Sequence, residues 1–130
     1  LVRSSVSSSS RLSQSLLLRG MTSERYQDDL TANLQRNRNR YLAVRDILAH
    51  KSKKTDPLQP LPFNSGYFLT FRIKDEKAEM LRLELLKRGV GTISVGSNYL
   101  RVAFSTVAEK NLEALFVEIY DVAFDIFGRI

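Results

Sequence analysis

The segment N-Y-L-R-V-A-F-S at 98–105 holds the side chain with the most definite chemistry in this sequence. Read as a strand, it puts Leu100, Val102 and Phe104 on one face and Tyr99, Arg101 and Ala103 on the other. The apolar trio belongs against helices, so Arg101 projects from the opposite face with a small alanine beside it. A guanidinium is a planar fork of N–H donors that grips a carboxylate through two parallel hydrogen bonds, and a strand holds such a fork stiffly. The blander alternative is a solvent-facing arginine on a bare sheet, which strand alternation alone does not separate from a ligand-binding one.

Other chemistries find fewer residues. The 130-residue chain has no cysteine, which excludes disulfides, thiolate metal sites, iron–sulfur clusters and a cysteine nucleophile. Its one histidine, His50, stands before a lysine-rich stretch with no second histidine to share a metal. No apolar run approaches the ~18 residues of a membrane span, so no membrane partner is expected. The net charge of +6 is uneven: residues 1–60 hold 11 Lys/Arg against 5 Asp/Glu, and residues 61–130 hold 9 of each. A basic arm suits an anionic surface or nucleic acid, and equally a solvated helix face.

The elements that must position Arg101 can be read from pattern. Residues 1–21 form a Ser/Arg-rich lead-in without acids, compatible with a transit peptide, a linker, or a turn leading into a short helix with Leu12, Leu16 and Leu17 on one side. The chain starts at Leu1, which suggests a piece of something longer. Residues 22–60 read as a long helix over 22–50, capped by Thr22 or Ser23, followed by a Pro/Lys-rich loop. Tyr26, Leu30, Leu34, Tyr41, Val44 and Leu48 give the helix one apolar stripe. Arg36, Arg38 and Arg40 cannot share one helical face, because residues two apart point about 200° apart.

Residues 61–130 are denser. The run Phe63–Ile73 reads as a strand with Tyr67, Leu69 and Phe71 on one face and Phe68, Thr70 and Arg72 on the other. Asp75 caps a helix over Glu76–Arg88 that Gly89 ends, with Ala78, Leu81 and Leu85 inward. Val90–Val95 and Tyr99–Phe104 pair antiparallel across a Gly96-Ser97-Asn98 turn. Thr106 and Glu109 make a capping box for a last helix whose stripe is Leu112, Leu115, Phe116, Ile119, Ala123 and Ile126. The order is long helix, strand, helix, strand, strand, helix. The expected fold is α/β (α+β), a two-layer sandwich whose second sheet face is partly bare.

Three stretches in this order carry a resemblance: N-S-G-Y-F at 64–68, L-L-K-R-G-V-G-T-I-S-V-G at 85–96, and L-R-V-A-F-S at 100–105. Together they resemble the C-terminal small domain of class I/II, fold-type-I pyridoxal-phosphate aminotransferases. The stretch S-S-S-S-R-L-S-Q-S-L-L-L-R-G at 7–20 is similar to the family segment after the catalytic lysine region, so the resemblance covers nearly the whole chain. It implies that Arg101 binds the α-carboxylate of an amino-acid or 2-oxo-acid substrate. It implies that Asn64, Ser65 and Gly66 border the active-site cleft, that residues 7–10 lie near a subunit boundary, and that the protein is a homodimer, with the cytoplasm as its place and an organelle the alternative.

The same resemblance implies what is missing. No lysine here has Ser or Thr three residues before it, the usual context of the family's catalytic lysine. The aspartate for the pyridine nitrogen and the phosphate-binding loop have no counterpart. Pyridoxal 5'-phosphate then belongs to an upstream large domain, and this chain alone holds no cofactor, no metal and no catalytic residue. Two rivals remain. Gly66–Phe71 is a near miss to the aromatic strand of an RNA-recognition motif, although the fourth strand is absent and the charge excess lies outside the sheet, so no nucleic-acid partner is expected. A ferredoxin-like module that binds a small ligand without catalysis has the same element order.

Overall fold

The computed structural model describes residues 10–128. These fall into two compact units divided between Gln35 and Arg36. The first contains helix α1, Arg11–Met21. Helix α2, Tyr26–Lys51, begins in the first unit and ends in the second. The second unit adds β1 (Leu58–Pro60), β2 (Leu69–Ile73), α3 (Ala78–Lys87), β3 (Ile93–Val95), β4 (Tyr99–Val102) and α4 (Leu112–Phe127). The expected α+β sandwich is what forms.

In the first unit, Ser10 caps α1 by accepting from the Ser13 amide, and Thr22 closes it with its amide on the Leu18 carbonyl. Thr22 therefore ends one helix instead of starting the next. Ser23 accepts from the Arg25 amide in the turn between them, and α2 begins only at Tyr26. Leu12, Leu16 and Leu17 share the predicted side of α1, and all remain exposed.

In the second unit the sheet runs β1-β2-β4-β3, every pair antiparallel. Its inward residues alternate as period two demands: Leu69, Phe71 and Ile73 on β2, Leu100 and Val102 on β4. Against them lie Val44 and Leu48 of α2, Ala78, Leu81 and Leu85 of α3, and Leu112, Phe116, Ile119 and Ala123 of α4. The apolar stripe predicted for α2 is thus buried only in its C-terminal half, while Leu30 and Leu34 are exposed. Arg40 fastens that half by donating to the Ser105 carbonyl.

Several boundaries differ from the pattern, each for a local reason. The Pro-rich stretch supplies a fourth strand, β1, because an edge strand needs hydrogen bonds on one side only and tolerates proline. The strand expected from Phe63 starts at Leu69. Before it, the Asn64 side chain accepts from the Gly66 amide at 3.0 Å and turns the chain, so Tyr67 lies outside the strand and is exposed. Asp75 caps nothing: Asp75 and Glu76 have φ of 58° and 56°, and α3 cannot start until Ala78. Strand β4 ends at Val102, and Phe104 reaches the core from a 3-10 turn. Thr106 donates to the Ala103 carbonyl instead of forming a capping box, so α4 waits for Leu112.

Candidate functional site

The face of the sheet away from the helices is built from the outward residues of four strands. Register places Gln59, Arg72, Tyr99 and Val95 in one cross-strand row, and Thr70, Arg101 and Ile93 in the next. No carboxylate stands in either row. Ile93 and Val95 are about half exposed, and Tyr99 and Phe68 somewhat less so. The bare second face expected from the sequence is therefore real, and it is apolar and basic.

Arg101 lies where alternation predicts, on a central strand, between two inward neighbours that are 0% and 2% exposed. Those anchors fix its Cα, and flanking strands on both sides restrain its direction. Its guanidinium carbon sits 3.8 Å from the centroid of the Phe68 ring. At that separation the charge sits over the ring, a cation–π contact. Among the described residues no acid forms an ion pair with Arg101 or with Arg72. Arg101 is thus exposed, in contact with an aromatic ring, and not neutralised by an ion pair. That arrangement can accept a carboxylate end-on.

Beside it is an open depression of about 460 Å³ lined by Leu61, Pro62, Phe63, Asn64, Phe68 and Thr70. Arg101 touches one of these wall residues, Phe68, and pairs across the sheet with another, Thr70. Of the three residues expected at the cleft border, Asn64 lines this depression. Ser65 and Gly66 do not, although they belong to the same turn. A Cβ at Gly66 would meet the Asn64 Oδ1 at 2.9 Å, so a substitution there displaces the side chain that makes the turn. The subunit-boundary expectation for residues 7–10 falls on 7–9, outside the described residues, and on Ser10, the α1 cap.

Sequence reasoning missed Phe68 and Thr70 as site residues. Strand alternation puts both on the face opposite Leu69 and Phe71, which are buried, and so on the face Arg101 also occupies. The aromatic run Gly66–Phe71 presents no pair of stacked ring faces on the sheet: Tyr67 precedes β2, Phe71 is fully buried, and the outward positions are Thr70 and Arg72.

A second depression, about 430 Å³, lies at the other end of the outward rows, with Lys54, Arg72 and Lys74 mixed among Asp56, Asp75 and Glu76. Its charges cancel and favour neither sign of ligand. Among the described residues the one strongly perturbed carboxyl lies elsewhere. Glu79 on α3 accepts from Arg82 Nε at 2.8 Å, from Arg82 Nη2 at 2.7 Å and from the Ser94 hydroxyl of β3, which together hold its pKa at about 2. Arg88, bonded to Asp125 and Glu118 of α4, is raised above its usual value by those two acids. Burial pushes the Tyr120 phenol up. Glu79 and Arg88 join one element to another, and neither bonds Arg101. Among the described residues no three His, Asp or Glu side chains are grouped to hold a metal, and no helix is long and apolar enough to cross a membrane.

No family model matches the chain, and no curated protein matches it.

Proposed function

We propose that this chain is the C-terminal part of a fold-type-I aminotransferase, which moves an amino group between an amino acid and a 2-oxo acid, and that Arg101 is its substrate-carboxylate ligand. The observation that carries this reading is the unneutralised Arg101 guanidinium, seated on the Phe68 ring on the outward side of a central strand. Two parallel N–H···O bonds from one fork fix both oxygens of a carboxylate and so fix the direction of its bond to Cα. Orientation of that kind lowers the barrier of whatever reaction follows at Cα.

The residues present do not fit pyridoxal phosphate. A pyridine nitrogen needs a sheltered acid, and no charged side chain is buried among the described residues. No lysine stands in the Ser/Thr-x-x-Lys context either. In this reading the cofactor belongs to an upstream large domain, the active protein is a homodimer in the cytoplasm, and the 130-residue chain is inactive by itself. The sheet face with Arg101, Ile93 and Tyr99 is the side built to meet the rest of the enzyme.

The test is Arg101→Ala in the complete protein, assayed with amino-acid and 2-oxo-acid pairs. The expected result is a KM for substrate raised at least about tenfold, the loss of roughly 1.4 kcal/mol of binding, with cofactor absorbance unchanged. Unaltered kinetics would remove Arg101 from the site and with it the reading. Loss of cofactor absorbance would assign the arginine to cofactor retention instead.

A further inference from the structure

We infer that Phe68 is a positioning residue: its ring holds the Arg101 fork in the conformation that receives the carboxylate. This rests on the reading above. Three cation–ring contacts occur among the described residues. The other two, Arg45 with Tyr41 and Lys77 with Phe127, have their charge 5.8 and 5.5 Å from the ring centroid. The Phe68–Arg101 contact at 3.8 Å is the one in which a guanidinium rests directly on a ring. An unpaired arginine on an open sheet has many rotamers to lose when it binds. A ring against the guanidinium removes part of that freedom beforehand and shields the covered side from water.

The ring is itself well placed for this work. Phe68 directly precedes β2, whose first residue, Leu69, is buried and in register with Val102 of β4. The preceding carbonyl, of Tyr67, accepts from the Ser105 amide at 3.4 Å. The backbone on either side of Phe68 is therefore tied to the strand that carries Arg101, or to the turn just after it. Phe68 is 40% exposed, too open to be explained as core. It also lines the depression of about 460 Å³ that adjoins the fork.

The experiment compares Phe68→Leu, Phe68→Tyr, Arg101→Ala and the double variant Phe68→Leu/Arg101→Ala in the complete protein. Leucine keeps an apolar side chain and removes the π face; tyrosine keeps the face. Phe68→Leu should raise KM about three- to tenfold with kcat within about twofold, and Phe68→Tyr should stay within about twofold on both. In the Arg101→Ala background, Phe68→Leu should change nothing further. In the chain itself, the Arg101 Hε resonance should lie upfield from the ring current and return to the ordinary range in Phe68→Leu. A purely structural phenylalanine would lower the melting temperature and leave KM alone, which overturns the inference. Additive effects in the double variant also overturn it, because the ring would then act on substrate without the arginine. A normal KM in Phe68→Leu beside a defective Arg101→Ala sinks this inference only. A normal KM in Arg101→Ala sinks the functional reading beneath it.

Discussion

Charged side chains on this chain follow two different designs. Arg101 and Arg72 stand on the open sheet face without an ion-pair partner, whereas Glu79, Arg82 and Arg88 are each bonded to partners. The difference separates residues free to meet a ligand from residues that join one element to another. Glu79 shows the second kind. Three donor contacts to its carboxylate favour the ionised form, so its pKa falls from 4.5 to about 2, with Arg82 the larger cause and Ser94 the next. A carboxyl whose folded pKa is depressed stabilises the fold above its unfolded pKa. That contribution drains away as pH drops from about 4.5 toward 2. A carbon-detected NMR titration should place the Glu79 midpoint near 2. Arg82→Gln should move it up most, and Ser94→Ala by less. A wild-type midpoint at 4.5 would mean that the bridge between α3 and β3 does not persist in solution.

Among the elements, α3 shows how a helix end prepares the strand that follows. Its cap is a complete reciprocal pair: the Gly89 amide bonds the Leu86 carbonyl at 3.0 Å, and the Val90 amide bonds the Leu85 carbonyl at 2.9 Å. The motif demands a left-handed residue, and Gly89 supplies it at φ 81°. Gly89→Ala should cost about 1 kcal/mol, a drop of roughly 4–8 °C in Tm for a unit of this size. Gly91→Ala, two residues on, should be near neutral, because its backbone angle is ordinary and nothing stands within 4 Å of a new Cβ. Equal losses at the two sites in thermal melts would show that the cap is not what stops the helix. This stop was legible in the sequence, since Gly after a leucine stripe has one common structural meaning. So was the outward aim of Arg101, because a period of two leaves no choice once Leu100 and Val102 are inward. The failures share a cause. Strand β1, the late start of β2 and the delayed starts of α3 and α4 depend on which backbone groups are already taken: the Lys74 amide by the Pro57 carbonyl, the Ile73 amide by Asn98, the Gly66 amide by Asn64. Those bonds join residues that hydrophobic pattern does not connect. The outward face of Phe68 was legible from alternation, but its contact with Arg101 was not, because that partner lies 33 positions away along the chain.

At the scale of the whole molecule, all the apolar burial among the described residues belongs to one of its two units. Every buried apolar residue, from Val44 to Ala123, lies beyond the division at Gln35/Arg36. Helix α1 buries no residue, and Leu12, Leu16, Leu17 and Leu18 are each 59–71% exposed. A segment such as 10–35, whose described residues bury no apolar side chain, gains little free energy from folding, since removal of apolar surface from water is the main favourable contribution. The stability of the chain should therefore reside in residues 36–130, including the α2 segment that Val44 and Leu48 hold to the sheet. A truncated protein starting at Arg36 should melt cooperatively, with a Tm within about 5 °C of the full chain, as expected when only low-stability segments are removed. It should also keep the Arg101–Phe68 contact, read as the same upfield Hε resonance. Loss of cooperative melting, or a fall of more than about 10 °C, would mean that residues 10–35 carry part of the core's stability through contacts the exposed leucines do not reveal.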